Sequence, residues 1–85
     1  MKLKREAPTP LYLQLKNALV ADIDTGRYKP HERLMSERQL GEKFKVSRMT
    51  VRQALIELTR EGFLYTQAEK GTYVSDPRSN RNYKR

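Results

Sequence analysis

The sequence contains no cysteine and only one histidine, His31. These absences exclude disulfide staples, iron–sulfur ligation, thiol catalysis, zinc-finger thiolates and multi-histidine metal sites, so neither a metal nor a cofactor is expected. Tryptophan is absent too, and the four glycines, at 26, 41, 62 and 71, are too scattered to form a phosphate cradle. Acidic residues are in short supply: ten Asp plus Glu stand against eighteen Lys plus Arg, and the net charge of +8 points to a polyanionic partner. The amino-terminal stretch Met1-Lys2-Leu3-Lys4-Arg5-Glu6 has no apolar run of the kind a signal peptide or a membrane span carries. A cytoplasmic location without a membrane partner is therefore expected. Eighty-five residues make one domain, and a core of that size covers only about 60% of the unfolded surface, which leaves little room for a deep substrate pocket.

Residues 1–9 are basic and proline-bearing and are expected to form a loose arm, while 77–85 are polar and aperiodic. The ordered domain is then 10–76. A first helix is predicted with Thr9 as N-cap and Pro10 at its first position, ending before Gly26, with Tyr12, Leu15, Leu19 and Ile23 on one stripe. Arg33-Leu34-Met35 allows only a very short strand. Ser36 and Gln39 have the spacing of a capping box, which opens a second helix with Leu40 and Phe44 inward. Ser47 is the N-cap candidate of a third helix that runs to about Glu61 and stops at Gly62. Val51, Ala54, Leu55 and Leu58 form its buried stripe, so Met49, Gln53 and Arg60 project from the opposite side, flanked by Arg48 and Arg52. Phe63–Thr66 and Thr72–Ser75 read as two strands of a hairpin with a charged tip. The fold class is therefore mainly α with a small β-hairpin.

A short helix, a tight turn and a helix carrying Arg48, Thr50 and Arg52 in its first turns suit a helix-turn-helix. The major groove of a DNA duplex admits one α-helix, and guanine O6 and N7 match a bidentate arginine. Ser47 and Thr50 offer hydroxyls to phosphate, and Met49 and Gln53 can reach base edges. The plainer alternative is that Arg48 and Arg52 are solvated charges with i,i+4 partners of little energetic value. Arg38 lies in the first turn of helix 2, where a cation opposes the helix dipole, so either a nucleic-acid partner or the neighbouring Glu37 must account for it. At the hairpin tip, Lys70 and Gly71 combine a cation with close backbone access, as a phosphate or minor-groove probe needs. Glu69 works against deep insertion.

Tyr65 and Tyr73 could be stacking platforms for RNA or single-stranded DNA, but on a two-stranded ribbon they are expected to pack against the helices. Enzymatic readings fail because no acid, base, nucleophile or ligand set converges: His31 lies in a turn after Pro30, and Asp22 and Asp24, two apart on a helix, point in different directions. A protein-interaction module remains as a third class. Its DNA binding would be weak and insensitive to salt.

Ser36-Glu37-Arg38-Gln39-Leu40, Val46-Ser47-Arg48-Met49-Thr50-Val51-Arg52-Gln53-Ala54-Leu55, Gly62-Phe63-Leu64 and Lys70-Gly71-Thr72-Tyr73-Val74 occur in that order. In this the chain resembles the winged-helix domain of GntR-family bacterial transcription regulators, most closely the HutC-type branch, over residues 10–75. The resemblance implies a winged helix-turn-helix with three helices and a two-stranded wing, and operator contacts at Arg38, Ser47, Arg48, Thr50 and Arg52 and around Lys70 and Gly71. It also implies a dimer on a near-palindromic duplex, and a larger carboxy-terminal domain, lacking here, that binds a small-molecule effector and releases a repressor. The tail 77–85 would then begin an interdomain linker. Three residues depart from the family pattern. Met35 replaces a proline before Ser36, His31 replaces a glycine after Pro30, and Glu69 replaces a wing glycine and adds a negative charge.

Overall fold

The structure, a computed structural model, describes residues 3, 4 and 6–76; the tail 77–85, with the linker expected there, lies outside the described residues. Three helices come first: α1 (Leu11–Asp24), α2 (Glu37–Phe44) and α3 (Arg48–Arg60). Two antiparallel strands follow, β1 (Leu64–Gln67) and β2 (Gly71–Val74), with Leu64 opposite Val74 and Gln67 opposite Gly71. This is the expected class, with both strands shifted by one residue.

The start of α1 differs from the expectation by one residue, since Pro10 and not Thr9 is its N-cap and no side chain caps it. Gln14 supplies the physical reason. Its Nε2 donates to the Thr9 carbonyl at 2.8 Å, satisfying the oxygen that a helix beginning at Pro10 would have used, while the Pro10 carbonyl accepts from the amides of Leu13 and Gln14 at 3.1 Å. The same side chain clasps the backbone of Lys4, donating to its carbonyl at 2.8 Å and accepting from its amide at 2.7 Å. Leu3 packs against the core, so the described part of the segment expected to be a loose arm meets the body.

The core is the meeting of the predicted stripes. Leu15, Leu19 and Ile23 of α1, Leu40 and Phe44 of α2, and Val51, Ala54, Leu55 and Leu58 of α3 are buried together with Leu34, Leu64 and Val74. On α1 the expected Tyr12 is only half-buried and Ala18 is inside. Lys16 adds a staple between helices, bonding Glu61 and lying 3.4 Å from Glu57 of α3. The hydrogen bond to Glu61 raises the pKa of its ammonium above the ordinary lysine value, against the opposing effect of burial.

The short strand expected at Arg33-Leu34-Met35 is a single bridge between Arg33 and Tyr73. The segment is nevertheless laced to β2: the amides of His31 and Leu34 donate to the carbonyls of Val74 and Thr72 at 2.7 and 2.8 Å, and the amide of Val74 donates to Glu32 at 2.9 Å. Two of the departures from the family pattern now have a geometric meaning. Glu32 N–H donates to the Lys29 carbonyl at 3.0 Å and Lys70 N–H to the Gln67 carbonyl at 3.0 Å, closing two four-residue turns. His31 and Glu69 occupy the third position of these turns, both at φ 67°. That position of a type II turn requires positive φ, which a side chain resists at a cost of about 1–2 kcal/mol. Glu69→Gly should therefore raise stability by about 0.5–1 kcal/mol once the larger unfolded-state entropy of glycine is deducted. His31→Gly should gain less, because it forfeits the 2.7 Å hydrogen bond between Nδ1 and the Tyr65 hydroxyl and an edge-on ring contact. Urea midpoints at constant m-value would show the ordering, and an equal or reversed gain would contradict it.

Candidate nucleic-acid interface

The candidate surface is assembled from its two N-caps. Ser36 Oγ accepts from the Gln39 amide at 3.1 Å and Gln39 Oε1 accepts from the Ser36 amide at 3.0 Å, so the expected capping box is formed and fixes where α2 starts. The helix ends at Lys45, in the left-handed region at φ 59°, and Val46 N–H turns back to the Gly41 carbonyl at 3.0 Å. A Cβ on buried Gly41 would lie 3.0 Å from the Val46 carbonyl oxygen. Glycine is thus what lets the turn Lys45-Val46-Ser47 close over α2. Ser47 Oγ then accepts from the Thr50 amide at 3.1 Å and caps α3, as expected.

With Val51, Ala54, Leu55 and Leu58 facing inward, α3 presents Arg48, Met49, Arg52, Gln53 and Arg60 outward. Met49 is 69% exposed, and Ile56, which the sequence reading did not single out, is 50% exposed beside them. Arg48 makes no ion pair or hydrogen bond among the described residues. It stands at the first position of a helix whose first turn holds no acidic residue, where a cation is disfavoured by the dipole. The Ser47 and Thr50 hydroxyls lie 3.0 Å apart. Only one of their two protons is used between them, which leaves the other for an outside acceptor.

Arg52 is bound within the protein. Its guanidinium donates from Nε to Glu37 Oε2 at 3.2 Å and from Nη2 to Glu37 Oε1 at 3.0 Å. Its partner therefore lies fifteen residues away and not at i,i+4, while half of its side chain stays in solvent. The hydrogen bonds to Glu37 hold its pKa above the ordinary arginine value. Glu37 is consequently not the partner of Arg38, whose Nε lies 3.4 Å from Glu42 Oε2 in an exposed i,i+4 pair of little value.

The wing carries Lys70 exposed at its tip, without an ion pair among the described residues. Gly71 serves a close approach, but in this structure the approaching group is Arg33: a Cβ on Gly71 would be 3.0 Å from Arg33 Nε and 3.4 Å from its Nη2. Arg33 had no local signal in the sequence, since only the bridge to Tyr73 brings it to the wing. Tyr65 and Tyr73 stack on each other across the strands, centroids 5.7 Å apart at 19°, with His31 against the edge of Tyr65. The expected packing against helices is thus replaced by packing within the ribbon, because the two residues are direct cross-strand partners.

Three helices with α3 following α2 across three residues, and a hairpin beside them, define a winged helix-turn-helix domain. Residues 11–74 match the bacterial regulatory proteins of the gntR family. The NagR transcriptional repressor of Bacillus subtilis is 44% identical over 78 residues, 92% of this chain and 32% of that protein. The histidine utilization repressor of Klebsiella aerogenes is 43% identical over 74 residues, 87% of this chain and 31% of that protein, in keeping with the HutC-type resemblance. Among solved structures, AraR(DBD) in complex with operator ORX1 aligns with a TM-score of 0.82 at 31% identity, covering 88% of this chain and 95% of that one. The chain belongs to the GntR family, a family of regulators and not of enzymes. It spans about a third of the length of the curated relatives it matches.

Proposed function

We propose that this chain is the operator-binding module of a GntR-type transcriptional repressor, laying α3 in the major groove of duplex DNA and the wing along the neighbouring minor groove. The observation that carries the reading is Arg48. Among the described residues it is an unpaired cation, placed where the helix dipole disfavours it, with Met49 and Gln53 exposed beside it and two hydroxyls at the same helix start. A guanine edge and the flanking phosphates would offset that placement. Similarity to repressors, and to a domain solved with its operators, supports the reading. Two copies would occupy a near-palindromic site, and a small-molecule effector would act through a further domain that makes up the rest of such relatives. No helix among the described residues is long and apolar enough to cross a membrane, which is compatible with work on DNA in the cytoplasm.

The stacking of Tyr65 on Tyr73 leaves fewer ring faces for unpaired bases and favours a duplex over RNA or single strands. Competition titrations with duplex, single-stranded and RNA competitors test this. In the same assay Lys70→Ala should weaken binding to all duplexes alike and lower the slope of log affinity against log salt by about one unit. Glu69→Gly should strengthen binding with little change in sequence preference, since it removes a charge that repels phosphate. Selective loss on one duplex in either variant would make the tip a base reader and sink this account of the wing.

A further inference from the structure

We infer that Glu37 is a positioning residue of the recognition surface, its carboxylate holding the Arg52 guanidinium side-on so that the adjacent terminal edge faces a guanine. The inference rests on the reading of α3 as a base-reading helix. An arginine has five N–H donors in a rigid fork. Glu37 takes the Nε proton and one Nη2 proton through two oxygens at 3.2 and 3.0 Å. Three donors remain, and two of them, one on Nη1 and one on Nη2, form the terminal edge of the fork. That edge has the parallel geometry that matches guanine O6 and N7. The carboxylate consumes the edge that a base would not use.

Glu37 is well placed to act as a fixed point. It is the first residue of α2, immediately after Ser36, so the capping box sets its backbone and the helix dipole favours its charge. Its side chain is 28% exposed, against 52% for that of Arg52, so the support is the more enclosed partner. The pair also sits where three elements meet: Glu37 of α2 and Arg52, Leu55, Ile56 and Thr59 of α3 share one depression with Thr66 and Thr72 of the wing. Arg48, by contrast, has no such brace among the described residues. The two arginines would therefore read bases differently, Arg48 adapting on contact and Arg52 presented ready-made, its rotamers already chosen in the free protein.

The test uses the 85-residue chain and a duplex recovered by repeated selection of a random library on the wild type. Each guanine of that duplex is replaced singly by 7-deazaguanine, which removes the N7 acceptor. The guanine read by Arg52 is the one whose replacement ceases to matter in Arg52→Ala. At that guanine Glu37→Gln and Glu37→Asp should each lower discrimination about ten-fold, the first by losing the charge and the second by losing the reach. Discrimination at the guanine read by Arg48 and the salt slope should not change, and in an Arg52→Ala background either Glu37 substitution should add nothing. Urea midpoints of all variants check that the fold is kept. Tighter binding of Glu37→Gln to every duplex would reduce Glu37 to a source of repulsion, and equal loss at all guanines would reduce it to a fold residue; either overturns the inference while leaving Arg52 a reader. If Arg52→Ala abolishes discrimination at no guanine, the reading of Arg52 falls first and the inference with it.

Discussion

Arg48→Ala should cost the chain about 10- to 100-fold in affinity for its operator and far less for a scrambled duplex. A bidentate arginine on guanine contributes about 1–3 kcal/mol of discrimination, whereas a lost phosphate contact lowers affinity for every sequence equally. Arg48 is the arginine for which the expectation is cleanest, because removing it strands no intramolecular partner among the described residues. Fold stability should even rise slightly, by a few tenths of a kcal/mol, as a cation leaves the positive end of α3. Competition titration with the two duplexes, with thermal unfolding alongside, gives both numbers. Equal losses on operator and scramble would demote Arg48 to a phosphate contact. Arg38→Ala should act in the same direction but less, since its first-turn position on α2 lies nearer the backbone that this helix crosses in other helix-turn-helix proteins.

Leu58→Ala should cost about 2–5 kcal/mol, the range for leucines whose loss leaves a cavity that neighbours cannot collapse into. Leu58 is 0% exposed and sits on the inward stripe of α3, among side chains drawn from all three helices and the hairpin. In a domain of this size that is a large part of a total stability that for small proteins is on the order of 5–15 kcal/mol. The expected result is a much lower urea midpoint with an unchanged m-value. Ile56→Ala, two residues earlier and half exposed, should change the midpoint by no more than about 0.5 kcal/mol. A comparable drop for both would mean that α3 is packed on its outer face as well.

Periodicity and capping make much of this legible in the sequence alone. The i, i+3, i+4, i+7 spacing of Val51, Ala54, Leu55 and Leu58 settled which side of α3 faced in, and the hydroxyls of Ser36 and Ser47 settled where two helices began, because both signals act within a turn or two of chain. What escaped was set by contacts between distant segments. Gln14 moved the start of α1 by satisfying the Thr9 carbonyl, and Glu37 reached past its neighbour Arg38 to Arg52, fifteen residues on. Arg33 reached the wing only through pairing with Tyr73. The fold class therefore followed from local pattern, while the state of each arginine on the candidate surface depended on which acidic side chain the tertiary fold brought beside it.

β2 is flanked on both sides, by β1 along its length and by the 31–34 segment through hydrogen bonds from both chains. The lacing continues through buried Ser75, whose amide donates to the Phe63 carbonyl at 2.9 Å. A twist applied to the backbone at Ser75 would therefore meet no slack joint. It would enter the middle of the sheet and be shared at once between the wing tip on one side and, through Leu34 and Met35, the mouth of α2 on the other. Both α2 and β1 pack on α3 as well, so strain arriving at Ser75 would be felt by all three elements around the candidate surface and not by the wing alone.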